Sequence, residues 1–346
     1  MSGDLTTDAV EVPCMDSAGL AAAIAATDFS NCAATVIGYG LMGREFVKAL
    51  RALGVRRIRV CSRSSARLEE LHGIPGIETV SGGFEQLERR PQAEELGIIA
   101  IPIPRLIEAT TRLVALGFCH LLIEKPVSLW ADQIETLAQA LEREEIEAMC
   151  AYNRIAYPSF HEVKARIARE GITSCLYTFT ELLKPDWPTR FSIEELARWG
   201  IGNSLHVIGM AHGLIGLPAQ WSGYRTGKIS WHKTGAIFVG SGLSDQGIPF
   251  AYHADWGSTG RWSVEVHSPV SSYRLCPLEQ VSRRTSALGE WQVMPVVTFA
   301  DTVKAGILEE VAAMLAPTIR HMVPLVSLRQ AARLTRYAEA VFGYHL

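Results

Sequence analysis

The run "ATVIGYGLMGREF", residues 34–46, narrows the possible folds of this chain more than any other stretch. An apolar, strand-like segment leads into Gly38, Gly40 and Gly43, spaced G-x-G-x-x-G, and an amphipathic segment follows at once. In that arrangement Gly38 permits a tight turn, Gly40 lets a pyrophosphate approach the backbone, and Gly43 lets helix and strand pack closely. The helix N-terminus then faces the phosphates, which makes Tyr39, Leu41 and Met42, between the glycines, candidate cofactor contacts as well. Strand, turn, helix and second strand all fall in register, so dinucleotide binding is expected.

The second strand, "RIRVCSRSS", lacks the acidic residue that would bind the adenosine ribose 2′-hydroxyl of NAD. Ser62, Arg63 and Ser64 stand at its end instead. An arginine flanked by hydroxyls suits a 2′-phosphate, so NADP is favoured over NAD.

From residue 34 to about 150, short apolar runs alternate with longer amphipathic segments, through "LGIIAIP", "RLIEATTRLVALG", "HLLIEKP" and "ADQIETLAQALERE". That alternation predicts a Rossmann doubly wound parallel sheet covered by helices on both faces. Beyond Tyr152 the texture changes to segments that alternate like antiparallel strands, among them "SCLYTFTELL", "GAIFVGSG", "FAYHADWG" and "RWSVEVHS". Residues 151–346 are therefore expected to form an α+β domain with a large, mostly antiparallel open sheet, closed by helices over about 302–315 and 327–342. Residues 1–33 read as an N-terminal extension with one short helix near 17–26.

The formal net charge of -3 recommends no nucleic-acid partner. No uncharged apolar run reaches the roughly 18 residues that crossing a bilayer requires, and the acidic residues near the N-terminus argue against a signal peptide. Seven scattered cysteines, with no CxxC pair, suggest reduced thiols and a cytoplasmic location. No histidine pair has metal-ligand spacing, and no metal is expected.

Ligands of a doubly wound sheet sit outside the carboxyl ends of its strands. "HLLIEKPVS" ends such a strand on Glu124-Lys125-Pro126, which brings Lys125 near the cofactor, and a Lys-Pro bond adopts cis cheaply. With this run, "VIGYGLMG", "IAIPIP" and "AYNRIAYPSF" occur in an order and spacing that resembles the Gfo/Idh/MocA family of glucose-fructose oxidoreductase, inositol dehydrogenase and MocA, over about residues 34–346. Later segments such as "GNSLHVIGMAHGLIGLP" are similar to a branch of surface-polysaccharide and sugar-modification enzymes.

The resemblance implies a hydride transfer between nicotinamide and a secondary alcohol or ketone of a carbohydrate or nucleotide sugar. It places Ile101, Pro102 and Glu124 at the cofactor and gives Lys125 the substrate hydroxyl and its proton. Tyr152 and Asn153 would border the substrate, with Arg154 for an acidic or phosphorylated group. The second sheet would make a homodimer or homotetramer. The family's catalytic histidine, on a helix of the second domain, falls here on His206.

The family pattern is broken around that histidine. Where an aspartate would lie four residues earlier this chain has Gly202, and three residues later it has Gly209. Asn203 could orient substrate or imidazole by hydrogen bonding, but it cannot act as a base. The missing acids keep two rivals in view: a dinucleotide-binding regulator or scaffold without turnover, and a C=N (imine) reductase on the same fold. Trp187 and Arg190 are candidates for a loop over the cleft. His212, His232, Trp256 and Trp262 are expected to be structural, and His253 and Arg261 stand out as the pair to test.

Overall fold

The computed structural model describes residues 15–344. The first fourteen residues of the expected extension, Cys14 among them, lie outside the described residues.

The first sheet takes its strands from β1 (Ala33–Ile37), β2 (Arg57–Ser62), β3 (Ile77–Ser81), β4 (Leu96–Ile99), β5 (His120–Glu124) and β6 (Glu147–Ala151). These pair in parallel in the order β6-β5-β4-β1-β2-β3. The order reverses beside β1, which opens a crevice at the carboxyl ends of β1 and β4. Every residue of β1 and of β4 is buried, as apolar runs covered on both faces should be.

The second sheet holds β7 (Ser174–Phe179), β8 (Pro218–Thr226), β9 (Ile237–Ser244), β10 (Pro249–Asp255), β11 (Trp262–His267), β12 (Ser272–Leu275), β13 (Val281–Arg284) and β14 (Gln292–Met294). Its order is β14-β13-β12-β11-β7-β10-β9-β8, antiparallel throughout except for the β7–β10 pair. One face packs on the helices Leu205–Ile215 and Leu328–Phe342. Tyr177, Phe179, Phe238 and Tyr252 are buried there.

The chain then crosses back. β15 (Val326–Ser327) pairs antiparallel with β6, and the helix Ile307–Leu315 packs on the helix Leu41–Ala52 that follows the glycine turn. Sheet membership therefore does not follow a boundary at residue 150 to the end of the chain. The last helix opens on Ser327, whose hydroxyl accepts from the Gln330 amide while the Gln330 side chain caps Ser327 in return. The helix read over 302–315 starts later, at Ile307. Gly306, at φ +79, turns the chain just before it, and a Cβ there would meet the Asn153 carbonyl oxygen at 1.9 Å.

The short helix Ser17–Ala25 is docked onto the body: Leu20 and Ile24 are buried and Ser17 Oγ donates to Glu162 Oε2 over 3.0 Å. No helix among the described residues is long and apolar enough to cross a membrane.

Candidate active site

The glycine turn shows the division of labour expected of it. Gly38 has φ +96 and its Cβ would strike the Ala100 carbonyl oxygen at 2.3 Å, so the turn presses against the end of β4. A Cβ on Gly43 would lie 1.9 Å from the Gly38 carbonyl oxygen, which fixes how closely helix and strand approach. Gly40 differs, because its nearest neighbour would be Arg67 Nη1 at 4.0 Å. Its backbone is bare toward the cleft.

That cleft has a volume of about 890 Å³ and runs along the strand ends from Ser62, Arg63 and Ser64, past Gly38–Met42, Ile101 and Pro102, to Glu124 and Lys125. All the expected cofactor contacts except Gly43, which packs beneath the turn, line it. Residues that sequence reasoning did not single out also line it, among them Arg67, beside Gly40, and Phe191, reaching in from the second half of the chain. Bare backbone at Gly40, guanidinium groups at Arg63 and Arg67, and the cleft volume suit a nicotinamide dinucleotide.

Lys125 emerges half-buried from β5, with a cis peptide to Pro126. Its Nζ donates to the Gly202 carbonyl oxygen over 2.6 Å. Burial pushes the ammonium pKa down to about 8, against the opposing pull of the Glu124 carboxylate and with help from Arg154. Burial in turn pushes the Glu124 carboxyl up, while Lys125 draws it down.

The backbone that receives this bond is a π-helical turn, Gly200–Ser204, leading straight into the helix that carries His206. Arg154 Nη1 lies 2.9 Å from both ring nitrogens of His206 and donates to Asn153 Oδ1 over 2.9 Å. The guanidinium also sits 5.5 Å from the Trp262 ring, which is 5.9 Å from the imidazole. Trp262 thus stands at the site rather than in the purely structural role expected of it. Burial, then Arg154, Lys125 and Lys304, hold the imidazole pKa well below its ordinary value, so His206 is neutral.

Lys304 was hidden within the stretch read as helix; the glycine two residues on was the signal that the helix starts later. Its backbone N–H donates to Glu45 Oε2 over 3.0 Å, and its Nζ lies 3.3 Å from Met42 Sδ in the glycine turn. Asn153 ties this segment down through a 3.0 Å bond from Nδ2 to the Ala305 carbonyl oxygen.

The two missing acids have different physical reasons. A Cβ on Gly209 would lie 2.6 Å from the Tyr152 ring, so that position is filled by the buried tyrosine. Tyr152 packs under the helix, and its hydroxyl has no partner. A Cβ on Gly202 would meet nothing within 4 Å. The position is open.

A carboxylate does approach from elsewhere. Glu181, just beyond β7, is buried and accepts from Ser204 Oγ at 2.6 Å and Asn203 Nδ2 at 2.7 Å. Burial pushes its pKa up to about 7 against those two bonds. Asn203 is therefore turned to Glu181 and not to His206. The only cue in the sequence was an acid placed where the alternation of β7 stops.

Other expectations fall away from the cleft. Trp187 is buried on Trp199, with ring centroids 4.2 Å apart, and Arg190 pairs with Asp186; their neighbour Phe191 reaches the cleft instead. His212 is buried with Nδ1 2.8 Å from the Gly216 carbonyl oxygen, and His232 bridges Gly235 and Tyr344. His253 lies exposed on β10.

Residues 32–152 match a family described as an oxidoreductase family with an NAD-binding Rossmann fold, Gfo/Idh/MocA. A search of curated proteins finds no match. Among solved structures, levoglucosan dehydrogenase in complex with NADH is similar with a TM-score of 0.69 at 14% identity, over 90% of this chain and 96% of that one. An oxidoreductase from Agrobacterium radiobacter in complex with NAD+, L-tartaric acid and magnesium has a TM-score of 0.68 at 14% identity, over 92% and 96%. UDP-N-acetylglucosamine 3-dehydrogenase from Acidithiobacillus ferrooxidans has a TM-score of 0.65 at 13% identity, over 90% and 96%. At such identities the likeness is one of fold, and it extends over both sheets. The match to the Gfo/Idh/MocA oxidoreductase family, with its NAD-binding Rossmann fold, thus lies in the dinucleotide-binding part of the chain, residues 32–152.

Proposed function

We propose that this chain is an NAD(P)-dependent oxidoreductase that moves a hydride between nicotinamide and a secondary alcohol or ketone of a carbohydrate or nucleotide sugar. The observation that carries the reading is Lys125: an amine with its pKa lowered to about 8, held at the strand end that closes the cofactor cleft and 2.6 Å from the turn leading to His206. Three of the similar folds were solved as dehydrogenases or oxidoreductases, two of them named for carbohydrate substrates, which supports the substrate class.

When bound, the nicotinamide supplies the hydride acceptor for oxidation and the donor for reduction. The chain must then hold the ring carbon in place and move one proton. Lys125 is the better proton acceptor of the two candidates, because burial, together with the Arg154 guanidinium, keeps the His206 imidazole from taking a proton. In oxidation the hydroxyl proton passes to the neutral Lys125 amine as the carbinol hydrogen leaves as hydride; in reduction the ammonium returns it to the ketone oxygen. Gly202, through its carbonyl, aims the amine. Arg154, itself aimed by Asn153, fixes the imidazole as a hydrogen-bond acceptor.

The cofactor is NADP by preference, since Ser62, Arg63, Ser64 and Arg67 line the end of the cleft where the ribose 2′-position belongs. The assembly is a homo-oligomer through the outer face of the second sheet. Fluorescence titration with NADPH and NADH tests the central reading, and binding of neither would sink it. Arg63→Ala is expected to weaken NADPH binding about tenfold or more while leaving NADH nearly unchanged.

A further inference from the structure

The π-helical turn Gly200–Ser204 carries two glycines in five residues, a poor composition for any helix, and it is anchored at both ends. At the first end the Gly200 N–H donates to the Tyr344 hydroxyl over 3.0 Å, and a Cβ on Gly200 would strike the Phe342 ring at 2.3 Å. At the other end Asn203 Nδ2 and Ser204 Oγ donate to the two oxygens of Glu181, over 2.7 and 2.6 Å. Gly202 lies between the anchors, and a Cβ there would meet nothing within 4 Å. Its carbonyl oxygen is the acceptor for Lys125 Nζ. Side-chain packing at Gly202 therefore does not set the direction of that carbonyl.

Glu181 is a costly anchor. Only 3% exposed, it is a carboxylate taken out of water, and both of its oxygens go to this one turn. A π turn interrupts the regular helical ladder, which leaves the Gly202 carbonyl free to accept from outside the helix.

We infer that Glu181 is a positioning residue for the acid–base lysine: by holding Asn203 and Ser204 it keeps the turn in its π form, so that the Gly202 carbonyl stays aimed at the Lys125 amine. This rests on the oxidoreductase reading, in which Lys125 carries the proton, and deepens it. If the turn relaxes toward a regular helix, its carbonyl rejoins the ladder and the ammonium loses its acceptor. Loss of an acceptor disfavours the charged form, so the amine then titrates at lower pH. Besides burial, the Lys125 ammonium feels Glu124, Arg154, Cys150 and Glu181, and it in turn acts on the neutral His206. All of these except Glu181 stay in place in the variants below.

The test reads Lys125 directly and needs no substrate: trace acetylation by acetic anhydride over a pH series, with the Lys125 peptide quantified by mass spectrometry. The parent is expected to titrate at about 8. Glu181→Leu, which cuts both bonds, is expected to lower that midpoint by about one unit or more. Glu181→Gln keeps both bonds once the Ser204 hydroxyl reverses, and is expected to stay within about half a unit of the parent. Asn203→Ala combined with Ser204→Ala cuts the same bonds from the other side and is expected to reproduce the Leu result, so the outcome does not hang on one variant folding. NADPH affinity is expected to be unchanged in all of them. A midpoint unmoved in both the Leu and the double variant, whatever their melting temperatures, overturns the inference. Equal falls for Leu and Gln also overturn it, because charge alone would then be acting. Failure of the parent to bind NADPH or NADH overturns the oxidoreductase reading instead, and the labelling result is separate from it.

Discussion

A lysine at a strand end can be a tether or an acid–base group, and its surroundings separate the two. Lys125 has its ammonium pKa lowered by burial to about 8, so roughly a tenth of the amine is neutral at pH 7. For oxidation the neutral amine is the active form; kcat/KM for the alcohol is therefore expected to rise with pH and level off above about 8. For reduction the ammonium is active, and the profile is expected to fall through the same pH. A pH–rate series in both directions checks the sign, and profiles that run the other way would remove Lys125 from the proton path. Lys125→Met keeps much of the bulk and is expected to lower kcat by about a hundredfold or more while NADPH still binds. At this scale the sequence was legible where a residue's role follows from its own geometry: Gly38 and Gly43 are glycines because a Cβ would collide with backbone. It was not legible for Asn203, whose amide turns to Glu181 through a contact 22 positions away in the chain.

Among the elements, the π-helical turn Gly200–Ser204 sets the site more than any single strand does. It presents the Gly202 carbonyl to Lys125 on one side and Asn203 with Ser204 to Glu181 on the other. Glu181 binds a proton more tightly folded than unfolded, its pKa rising from 4.5 to about 7. Its contribution to stability is fully present below about 4.5 and is lost as pH rises through about 7. Glu181→Gln, which can keep both hydrogen bonds by reversing the Ser204 hydroxyl, is expected to melt a few degrees higher than the parent at pH 8 and no higher at pH 5. Scanning calorimetry at the two pH values decides it; a lower melting temperature at pH 8 would mean the carboxylate is satisfied there. The segment before Ile307 shows why helix boundaries escape a sequence reading. "DTVKAG" has helical texture, but Gly306 turns the chain against the Asn153 carbonyl, and Lys304 is released to reach Met42.

For the whole molecule, the second sheet has one face on the helices and one face bare. Cross-strand register puts Leu176, Tyr224, Val239 and Leu243 on the same outer face, all of them exposed, Tyr224 by 81%. Such a face fits a second copy of the sheet. Light scattering after gel filtration is expected to give a dimer or tetramer for the parent and a monomer for Tyr224→Glu combined with Val239→Glu; a monomeric parent would exclude the assembly.

The sequence by itself determined the periodic features: a parallel sheet from alternating apolar and amphipathic segments, a glycine turn from its spacing, a lysine at the carboxyl edge of β5. These are local, because the side-chain period and the turn chemistry are written in neighbouring residues. Only the tertiary structure decided what stands around His206. Arg154, Trp262, Glu181 and Lys304 come from four separate elements, and nothing in their spacing brings them together. The same holds for the two glycines that replace acids: on the page they look alike, yet one is closed by the Tyr152 ring and the other opens on free space, because packing is set by residues far apart in the chain.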